Sequence, residues 1–268
     1  MPKKIAALAL ALTVALPLTA EAHRAWMLPS ATVLSGKDPW VTVDAAVSND
    51  LFYFEHFPLQ LDGLAVMAPD GSPVKTENAS TGRYRSTFDV HLTQPGTYKM
   101  AVAGDNLFAS YKLDGQQKRW RGTPDKLADI PANATDLKIR HSQRRLEVFV
   151  TAGKPSDGVL KPTGKGLELV PVTHPNDLFA GESARFTLLL DGRPASGIEV
   201  EVVPGGNRYR TKLNDMTVKT DDTGGFAVTW PEPGMYWLSA DVTDTNPSVP
   251  QASERTASYT VTLEVLPQ

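Results

Sequence analysis

The sequence predicts an all-β protein built from two immunoglobulin-like antiparallel β-sandwich domains that follow a cleaved signal peptide. Short runs of alternating apolar and polar residues recur along the chain, and turns rich in proline and glycine (21 and 20 residues) separate them. After residue 22 no segment has a strong helical period. Closely spaced strands of this kind are typical of antiparallel sandwiches, and about seven of them form an immunoglobulin-like unit of about 100 residues.

The first 22 residues have the pattern of a secretory signal peptide. Lys3 and Lys4 precede an apolar stretch over 5–18, and Ala20 and Ala22 stand at the A-x-A spacing that precedes a cleavage site. We therefore expect cleavage after Ala22, export to the bacterial periplasm, and a mature chain that begins with His23.

The chain contains no cysteine and has a formal net charge of −3. The lack of cysteine excludes a disulfide scaffold and leaves nitrogen and oxygen atoms as the main metal ligands, with methionine as the only sulfur donor. The weakly acidic balance gives no electrostatic footprint for nucleic acid. No later apolar run approaches the roughly 20 residues that span a bilayer, so we expect a soluble mature protein without a membrane span.

The turns divide the mature chain into two units. We predict an N-terminal β-sandwich over 23–152 with a polar elaboration at 105–150, a linker rich in Gly, Pro, Lys and Ser over 153–166, and a C-terminal immunoglobulin-like β-sandwich over 167–268. The strands expected in the first unit cover 40–47, 64–68, 84–92, 98–102 and 137–150. Those expected in the second cover 167–172, 184–190, 197–203, 235–242 and 256–266, with a hairpin over 218–230.

One short pattern occurs once in each unit. Residues 89–98 and 227–236 both end in Pro-Gly-x-Tyr, which favours two related units, although the same pattern is also a common strand-turn-strand signal. His91 in the first copy aligns with Thr229 in the second. A strand at this position therefore does not need a histidine for its own stability.

His23 is the first candidate metal ligand. As the first residue of a mature chain it would offer both its α-amine and its imidazole, and the two can close a chelate ring on one ion. The unperturbed pKa of an α-amine is about 7.7–8.0, so it can lose its proton to a metal near neutral pH. The alternative is that the signal peptidase cuts at a site where the next residue is arbitrary.

Two further histidines lie beside carboxylates. His91 and Asp89 are two residues apart on one strand, so they project from the same side about 7 Å apart. This spacing suits two ligands, or a carboxylate that orients an imidazole, but it also suits a solvated strand face. Glu55 and His56 interrupt an aromatic cluster over 52–57, where they form either a site in an apolar shell or an exposed part of a packed loop.

The remaining histidines are poorer candidates. Arg140, Arg144 and Arg145 surround His141 in sequence and would repel a cation, so this basic run predicts a solvated strand edge or a partner surface. His174 precedes a proline and is expected in a turn. The chain has no cysteine nucleophile, no G-x-S-x-G motif and no Walker loop, so we predict no catalytic residues.

The residues around His23 also resemble a known family. The stretch from Ala22 to Pro29 resembles the mature start of a periplasmic domain-of-unknown-function family, which runs approximately Ala-His-x-x-Trp-(Leu/Met)-x-Pro. Residues 167–178, 188–194, 221–226 and 233–237 are similar to further signatures of that family. Its members are often described as the periplasmic component of an ABC-type cobalt/nickel uptake system, so the resemblance implies metal delivery to an inner- or outer-membrane metal transporter.

Together these features predict a periplasmic transition-metal-binding protein that delivers or holds Ni(II), Co(II), Cu(II) or Zn(II) for an uptake system. His23 nucleates the site, His91 and His56 are further ligands, and Asp89 or Glu55 is a ligand or an orienting carboxylate. Affinity order alone does not choose among these metals.

Two alternatives remain open. One is an immunoglobulin-like interaction module that binds no metal and contacts a polymer or a membrane-protein partner through exposed aromatic residues. The other is a copper-dependent oxidative enzyme with an N-terminal histidine, which needs a second histidine in the same site and an open coordination position.

Overall fold

The computed structural model describes residues 23–268. The predicted signal peptide over 1–22 and its cleavage after Ala22 lie outside the described residues. Within the described part, no helix combines the length and apolar character needed to cross a bilayer.

The described residues contain nineteen strands and three 3₁₀ helices. The strands of the first half are β1 (Arg24–Pro29), β2 (Val33–Leu34), β3 (Trp40–Ser48), β4 (Phe57–Pro58), β5 (Leu64–Met67), β6 (Pro73–Val74), β7 (Glu77–Thr81), β8 (Ser86–His91), β9 (Gly96–Leu113), β10 (Gln116–Gly122) and β11 (Thr135–Ala152). Those of the second half are β12 (Leu167–Pro171), β13 (Ser183–Leu190), β14 (Arg193–Pro194), β15 (Glu199–Pro204), β16 (Met216–Lys219), β17 (Gly225–Thr229), β18 (Gly234–Asp244) and β19 (Glu254–Val265). The 3₁₀ helices are Pro124–Asp129, Gly158–Leu160 and Asn207–Tyr209.

The first half folds as an immunoglobulin-like sandwich. One sheet has the order β1-β3-β8-β7, with β4 paired to β3, and the strands β11-β9-β5 form the facing layer. These orders correspond to the A-B-E-D and G-F-C sheets of an immunoglobulin domain. Alternate residues of each strand point inward, so that Val41, Val43, Phe88 and Val90 are fully buried in the core between the layers.

The second half repeats this arrangement. Strands β12, β13 and β17 form one layer, and β15-β18-β19 form the other, which corresponds to A-B-E and C-F-G. Phe186, Trp230, Tyr236 and Tyr259 fill the core between them. The prediction of two immunoglobulin-like antiparallel β-sandwiches is confirmed.

The two sandwiches share one sheet. Strand β11 pairs with β19 in parallel from Arg140 to Val148, so the C-F-G layers of both halves join into a ten-stranded sheet. Successive side chains of β11 point to opposite faces of this sheet. Val148 and Val150 therefore pack in the first core, while Phe149 packs in the second.

The Pro-Gly-x-Tyr pattern marks equivalent corners in the two sandwiches. The hydroxyl of Tyr98 donates to the carbonyl oxygen of Gln94 at 3.1 Å, and the hydroxyl of Tyr236 donates to that of Glu232 at 2.8 Å. In each half this tyrosine follows the crossing from strand E to strand F, as in the tyrosine corner of immunoglobulin-like domains. The sequence echo therefore reflects a shared local structure.

The predicted hairpin over 218–230 is wrong. Strand β16 pairs with β15 in the ten-stranded sheet, whereas β17 pairs with β13 in the other layer of the second sandwich. The turn at 221–225 therefore carries the chain from one layer to the other. Turn residues alone do not distinguish these two connections, because both need a tight reversal.

The predicted strand edge around His141 is also wrong. Strand β11 lies between β9 and β19, and His141 is fully buried with its Nε2 atom 2.5 Å from Oδ1 of Asp105. Arg140 and Arg144 point to the other face and are exposed. The basic run is therefore one exposed face of a central strand.

The segments predicted as a polar elaboration (105–150) and a linker (153–166) are both ordered parts of the sandwiches. Residues 105–150 lie largely in the long strands β9 and β11 and in β10. Within 153–166, Val159 is buried and the backbone amide of Ser156 donates to the hydroxyl of Thr97 at 3.0 Å. The composition of this segment predicts a break in the strand pattern but not the packing of the residues within it.

Candidate metal centre

His23 and His56 lie against each other at the end of strand β3. Their ring centroids are 4.3 Å apart, and the ring planes meet at 71°. Arg24 pairs with Ser48, and Phe57 pairs with Val47, so the residues that follow both histidines are fixed to the last two residues of the same strand. This pairing brings together two histidines that are distant in sequence.

Contacts with the second sandwich hold the chain next to His23. The indole N–H of Trp237 donates to the carbonyl oxygen of Ala25 at 3.0 Å. The guanidinium of Arg24 lies 3.0 Å from a carboxylate oxygen of Glu201 and 5.4 Å from the centroid of the Trp237 ring. His23 itself is exposed, which leaves its imidazole open to solvent.

The loop that carries His56 is held by Glu55. One carboxylate oxygen of Glu55 accepts from the backbone amides of Asn49 and Asp50 at 2.9 and 2.8 Å. The backbone amide of Leu51 donates to the side-chain oxygen of Asn207 at 2.8 Å, which fixes the loop to the second sandwich. The carboxylate therefore has a clear role in shaping the loop.

A glycine permits the close approach of this loop to the second sandwich. A Cβ atom placed on Gly205 would lie 2.9 Å from the ring of Phe52, so the ring packs directly on the glycine backbone. Phe52 has a positive φ of 62°, which few non-glycine residues adopt. The site therefore lies at the junction of the two sandwiches and depends on both.

The Nδ1 atom of His56 has the character of a free ligand atom. It is buried and forms no hydrogen bond with any residue in 23–268. Its nearest carboxylate oxygen belongs to Glu55 at 3.7 Å, beyond hydrogen-bonding distance. Buried polar atoms in proteins nearly always have a partner, so an unpartnered imidazole nitrogen beside a second imidazole fits a metal ligand.

His91 lies at the opposite end of the same sheet. It pairs with Trp40 at the start of β3, whereas Arg24 pairs with Ser48 at the end of that strand. This separation is about 27 Å at a rise of about 3.4 Å per residue. His91 and His23 therefore do not share a site in this structure.

The surroundings of His91 form a separate surface group. The His91 ring stacks on Trp40 with centroids 4.3 Å apart and planes at 5°, and its Nε2 atom is 2.5 Å from Oδ1 of Asp38. Asp89 is engaged elsewhere, because it accepts from the hydroxyl of Thr42 at 2.6 Å and from the amide of Asn78 at 2.8 Å. These hydrogen bonds, led by that of Thr42, lower the pKa of Asp89.

Of the five predicted site residues, the structure brings together His23, His56 and Glu55 and leaves His91 and Asp89 apart from them. Across residues 23–268, no three side chains of the types His, Cys, Asp and Glu are grouped so that they could hold a metal ion. Cleavage after Ala22 would create the α-amine of His23. This amine is not part of a side chain, so the statement about groups of side chains does not cover it.

An acidic cleft of about 610 Å³ adjoins His23. It lies on the outer face of the second sandwich, and four acidic residues (Glu199, Glu201, Asp215 and Asp241) and two basic ones (Arg24 and Arg144) line it. Burial by the cleft walls raises the pKa of the Asp241 carboxyl, and the nearby Glu201 carboxylate raises it further. Sequence reasoning missed this cleft, although Glu199 and Glu201 alternate with buried valines on one strand and so had to share a face.

His174 lies between the two sandwiches, partly buried, with both ring nitrogens in hydrogen bonds. Its Nδ1 atom accepts from the backbone amide of Asn176 at 3.1 Å, so the proton is on Nε2, which lies 2.9 Å from the hydroxyl oxygen of Thr97. Burial lowers the pKa of His174 below its usual value of 6.5, although a hydrogen bond with the Ser156 backbone and the charges of Asp157 and Asp177 partly offset this effect.

We expect His174 to make stability fall in mild acid. Between the lowered folded pKa and the ordinary value of about 6.5, the unfolded chain binds more protons at this residue than the folded chain, so the free energy of unfolding decreases as the pH falls through this range. One proton contributes a slope of at most about 1.4 kcal/mol per pH unit. Urea denaturation at neutral and mildly acidic pH should show a shallower dependence for His174→Asn than for the wild type, and equal dependence would contradict this assignment.

The chain is similar to several solved structures of low identity. With the D0-D1 domain of intimin it has a TM-score of 0.23 and 14% identity over 90% of this chain and 97% of that chain. With trypsin-activated alpha-2-macroglobulin from Escherichia coli the TM-score is 0.21 and the identity 12%, over 90% of this chain and 16% of that chain. With the tandem V-type regions of a chitin-binding protein the TM-score is 0.19 and the identity 8%, over 88% and 98%. Such low TM-scores carry no argument about function.

No curated protein matches the sequence. One family model does match, over residues 20–244, and this range includes His23, His56 and most of both sandwiches. It carries the description "Domain of unknown function (DUF4198)". The chain therefore belongs to this family of domains of unknown function.

Proposed function

We propose that this protein is exported and binds a divalent transition metal between His23 and His56, which it holds for or delivers to a membrane transporter. The observation that carries this proposal is the contact of the two imidazole rings, whose centroids are 4.3 Å apart. Imidazole nitrogens bind metals such as zinc at about 2.0–2.1 Å, so two rings this close can reach one ion. The unpartnered Nδ1 atom of His56 supports the same reading.

The α-amine of His23 supplies the third nitrogen of the proposed site. Cleavage after Ala22 frees this amine, and its ordinary pKa of about 7.7–8.0 allows it to deprotonate on metal binding. The site would then have three nitrogen donors and no thiolate. Glu55 has hydrogen bonds to two backbone amides, and we assign it to the loop that holds His56 rather than to the ion itself.

This donor set admits Ni(II), Co(II), Cu(II) and Zn(II). Nitrogen ligands bind Cu(II) most tightly among these ions, so we expect the highest affinity for copper. The cleft beside His23 has four acidic residues against two arginines, and this negative balance supports binding of a cation, because a negatively charged concave surface raises the local cation concentration. The cobalt/nickel role that the family resemblance implies is one version of this proposal, with uptake as its purpose.

The test uses two forms of the mature protein, one that begins at His23 and one with a single additional alanine before it. The addition converts the His23 α-amine to an amide, which breaks the chelate ring between amine and imidazole on one residue, while both imidazoles remain. Competition with a chromogenic chelator should show affinity for Cu(II) that is about tenfold or more lower for the extended form. Equal affinities would contradict the chelate, and the absence of tight binding in both forms would favour an interaction module without metal.

A copper-dependent oxidative enzyme is a second candidate. It needs a second histidine next to the N-terminal one, and His56 meets that need. His23 is also exposed, so a substrate could approach the site from solvent. Consumption of oxygen or peroxide by the copper-loaded protein in the presence of a reductant would favour this activity over metal delivery.

A further inference from the structure

One face of the ribbon formed by β9, β10 and β11 carries an excess of positive charge. Arg119, Arg121 and Lys138 are exposed on it, and none of them forms an ion pair with another residue of 23–268. Such a cluster is unexpected on a chain with a net charge of −3. This face therefore carries three cations that have no ion-pair partner among residues 23–268.

Strand register places these cations in rows across the ribbon. Arg119 pairs with Ser110, which pairs with Lys138, and these three positions form the first row. The second row begins at Arg121, which pairs with Phe108. The rows are two residues apart along each strand, or about 7 Å.

The second row continues across two more strands. Phe108 pairs with Arg140, which pairs with Glu254 and also forms an ion pair with it at 2.8 Å. The ring of Phe108 is 42% exposed and has the guanidinium of Arg121 at 5.2 Å from its centroid. The face thus combines cations with one exposed aromatic ring and one carboxylate.

A groove of about 720 Å³ runs over these rows. Besides the charged residues, the hydroxyl-bearing residues Ser110, Ser142, Ser253 and Thr256 line it. Hydroxyls and guanidinium groups donate hydrogen bonds to carboxylate oxygens, and guanidinium does so in pairs. We call this groove, with its lining residues, the arm groove, where the arm is the ribbon formed by β9, β10 and β11.

We propose that the arm groove is a docking site for an acidic segment of a partner protein, in which carboxylates alternate with apolar residues. The cations and hydroxyls fit the carboxylates, and the exposed ring of Phe108 fits an apolar side chain. The groove is concave, so a flat anionic bilayer would reach its rim rather than its floor. Glu254 would repel a uniformly charged polymer such as polyphosphate more than a ligand whose charges are interspersed.

Fluorescence anisotropy with the mature chain tests this proposal and is independent of metal binding. The probe is a labelled peptide in which glutamates are separated by single apolar residues, and its control has glutamine in place of glutamate. We expect roughly tenfold or greater preference for the acidic peptide, with affinity that falls as salt screens the charges. Absence of binding by the acidic peptide at low salt would overturn the proposal.

Variants locate the binding surface. The double variant Arg119→Glu/Lys138→Glu should lose binding of the acidic peptide, whereas Lys75→Glu/Lys219→Glu, which changes the net charge equally at exposed sites elsewhere, should retain it. Circular dichroism of both variants checks that they fold. Equal loss in the two double variants would overturn the site, as would equally tight binding of polyphosphate, polygalacturonate or phosphatidylglycerol vesicles, because charge alone would then explain the affinity.

Discussion

Replacing His56 with alanine should lower the affinity of the mature protein for Cu(II) by about 100-fold, or about 2.8 kcal/mol. The change removes one of two imidazoles whose rings lie 4.3 Å apart, while His23 keeps its own imidazole and amine. The loop around it should persist, because Glu55 still accepts from two backbone amides. Chelator competition measures the affinity, and denaturation curves check that the fold is retained.

His91→Ala is the matched control. His91 has a carboxylate neighbour and partial exposure like His56, but it lies at the other end of the sheet. Its removal should leave the affinity for Cu(II) unchanged. A loss as large as that of His56→Ala would show that the two histidines act together, and unchanged affinity in the His56 variant would remove His56 from the site.

Alternating patterns predicted individual strands well, because they depend on neighbours in sequence. Strand β3 was expected over 40–47 and covers Trp40–Ser48, and β8 was expected over 84–92 and covers Ser86–His91. The same patterns do not predict which distant strands pair with each other. Nothing local in residues 218–230 distinguishes a hairpin from a crossing between layers, and nothing local in β11 indicates that β19 pairs with it in parallel.

The same limit applies to the site. His23 and His56 meet because β1 and β4 both pair with the end of β3, and neither pairing has a signature near either histidine. Asp89 and His91 do share a strand face, as their spacing predicts, but Thr42 and Asn78 occupy the carboxylate. Spacing predicts the face of a side chain, while its partners depend on strands that arrive from elsewhere.

Trp26→Ala should cost about 3–5 kcal/mol of the free energy of unfolding, the usual range for removal of a buried tryptophan. Trp26 is fully buried, but it points away from the first core, and it packs with Leu51, Val203 and Trp237 between the two sandwiches. Its indole N–H also donates to the hydroxyl oxygen of Ser48 at 2.8 Å, and this bond would be lost.

Trp40→Ala provides the comparison, because Trp40 is 39% exposed and lies at the opposite end of β3. It should cost about 1 kcal/mol or less, the usual scale of a surface substitution that loses one stacking contact. Chemical denaturation, followed by circular dichroism, measures the free energy of unfolding of both variants. A cost below about 1 kcal/mol for Trp26→Ala would mean that the junction contributes little to stability.

The consequence of Trp26→Ala should extend to the metal centre. His23 directly precedes strand β1, which contains Trp26. The loop that carries His56 packs on Trp26 through Phe52 and Phe54, whose ring centroids lie 5.5 and 5.6 Å from the indole. Removal of the indole therefore loosens both supports of the two histidines at once. We expect weaker Cu(II) binding in Trp26→Ala under conditions where the protein is folded, and unchanged binding in Trp40→Ala. Unchanged binding in both would indicate that strand pairing with β3 is sufficient to hold the histidines together without the second sandwich.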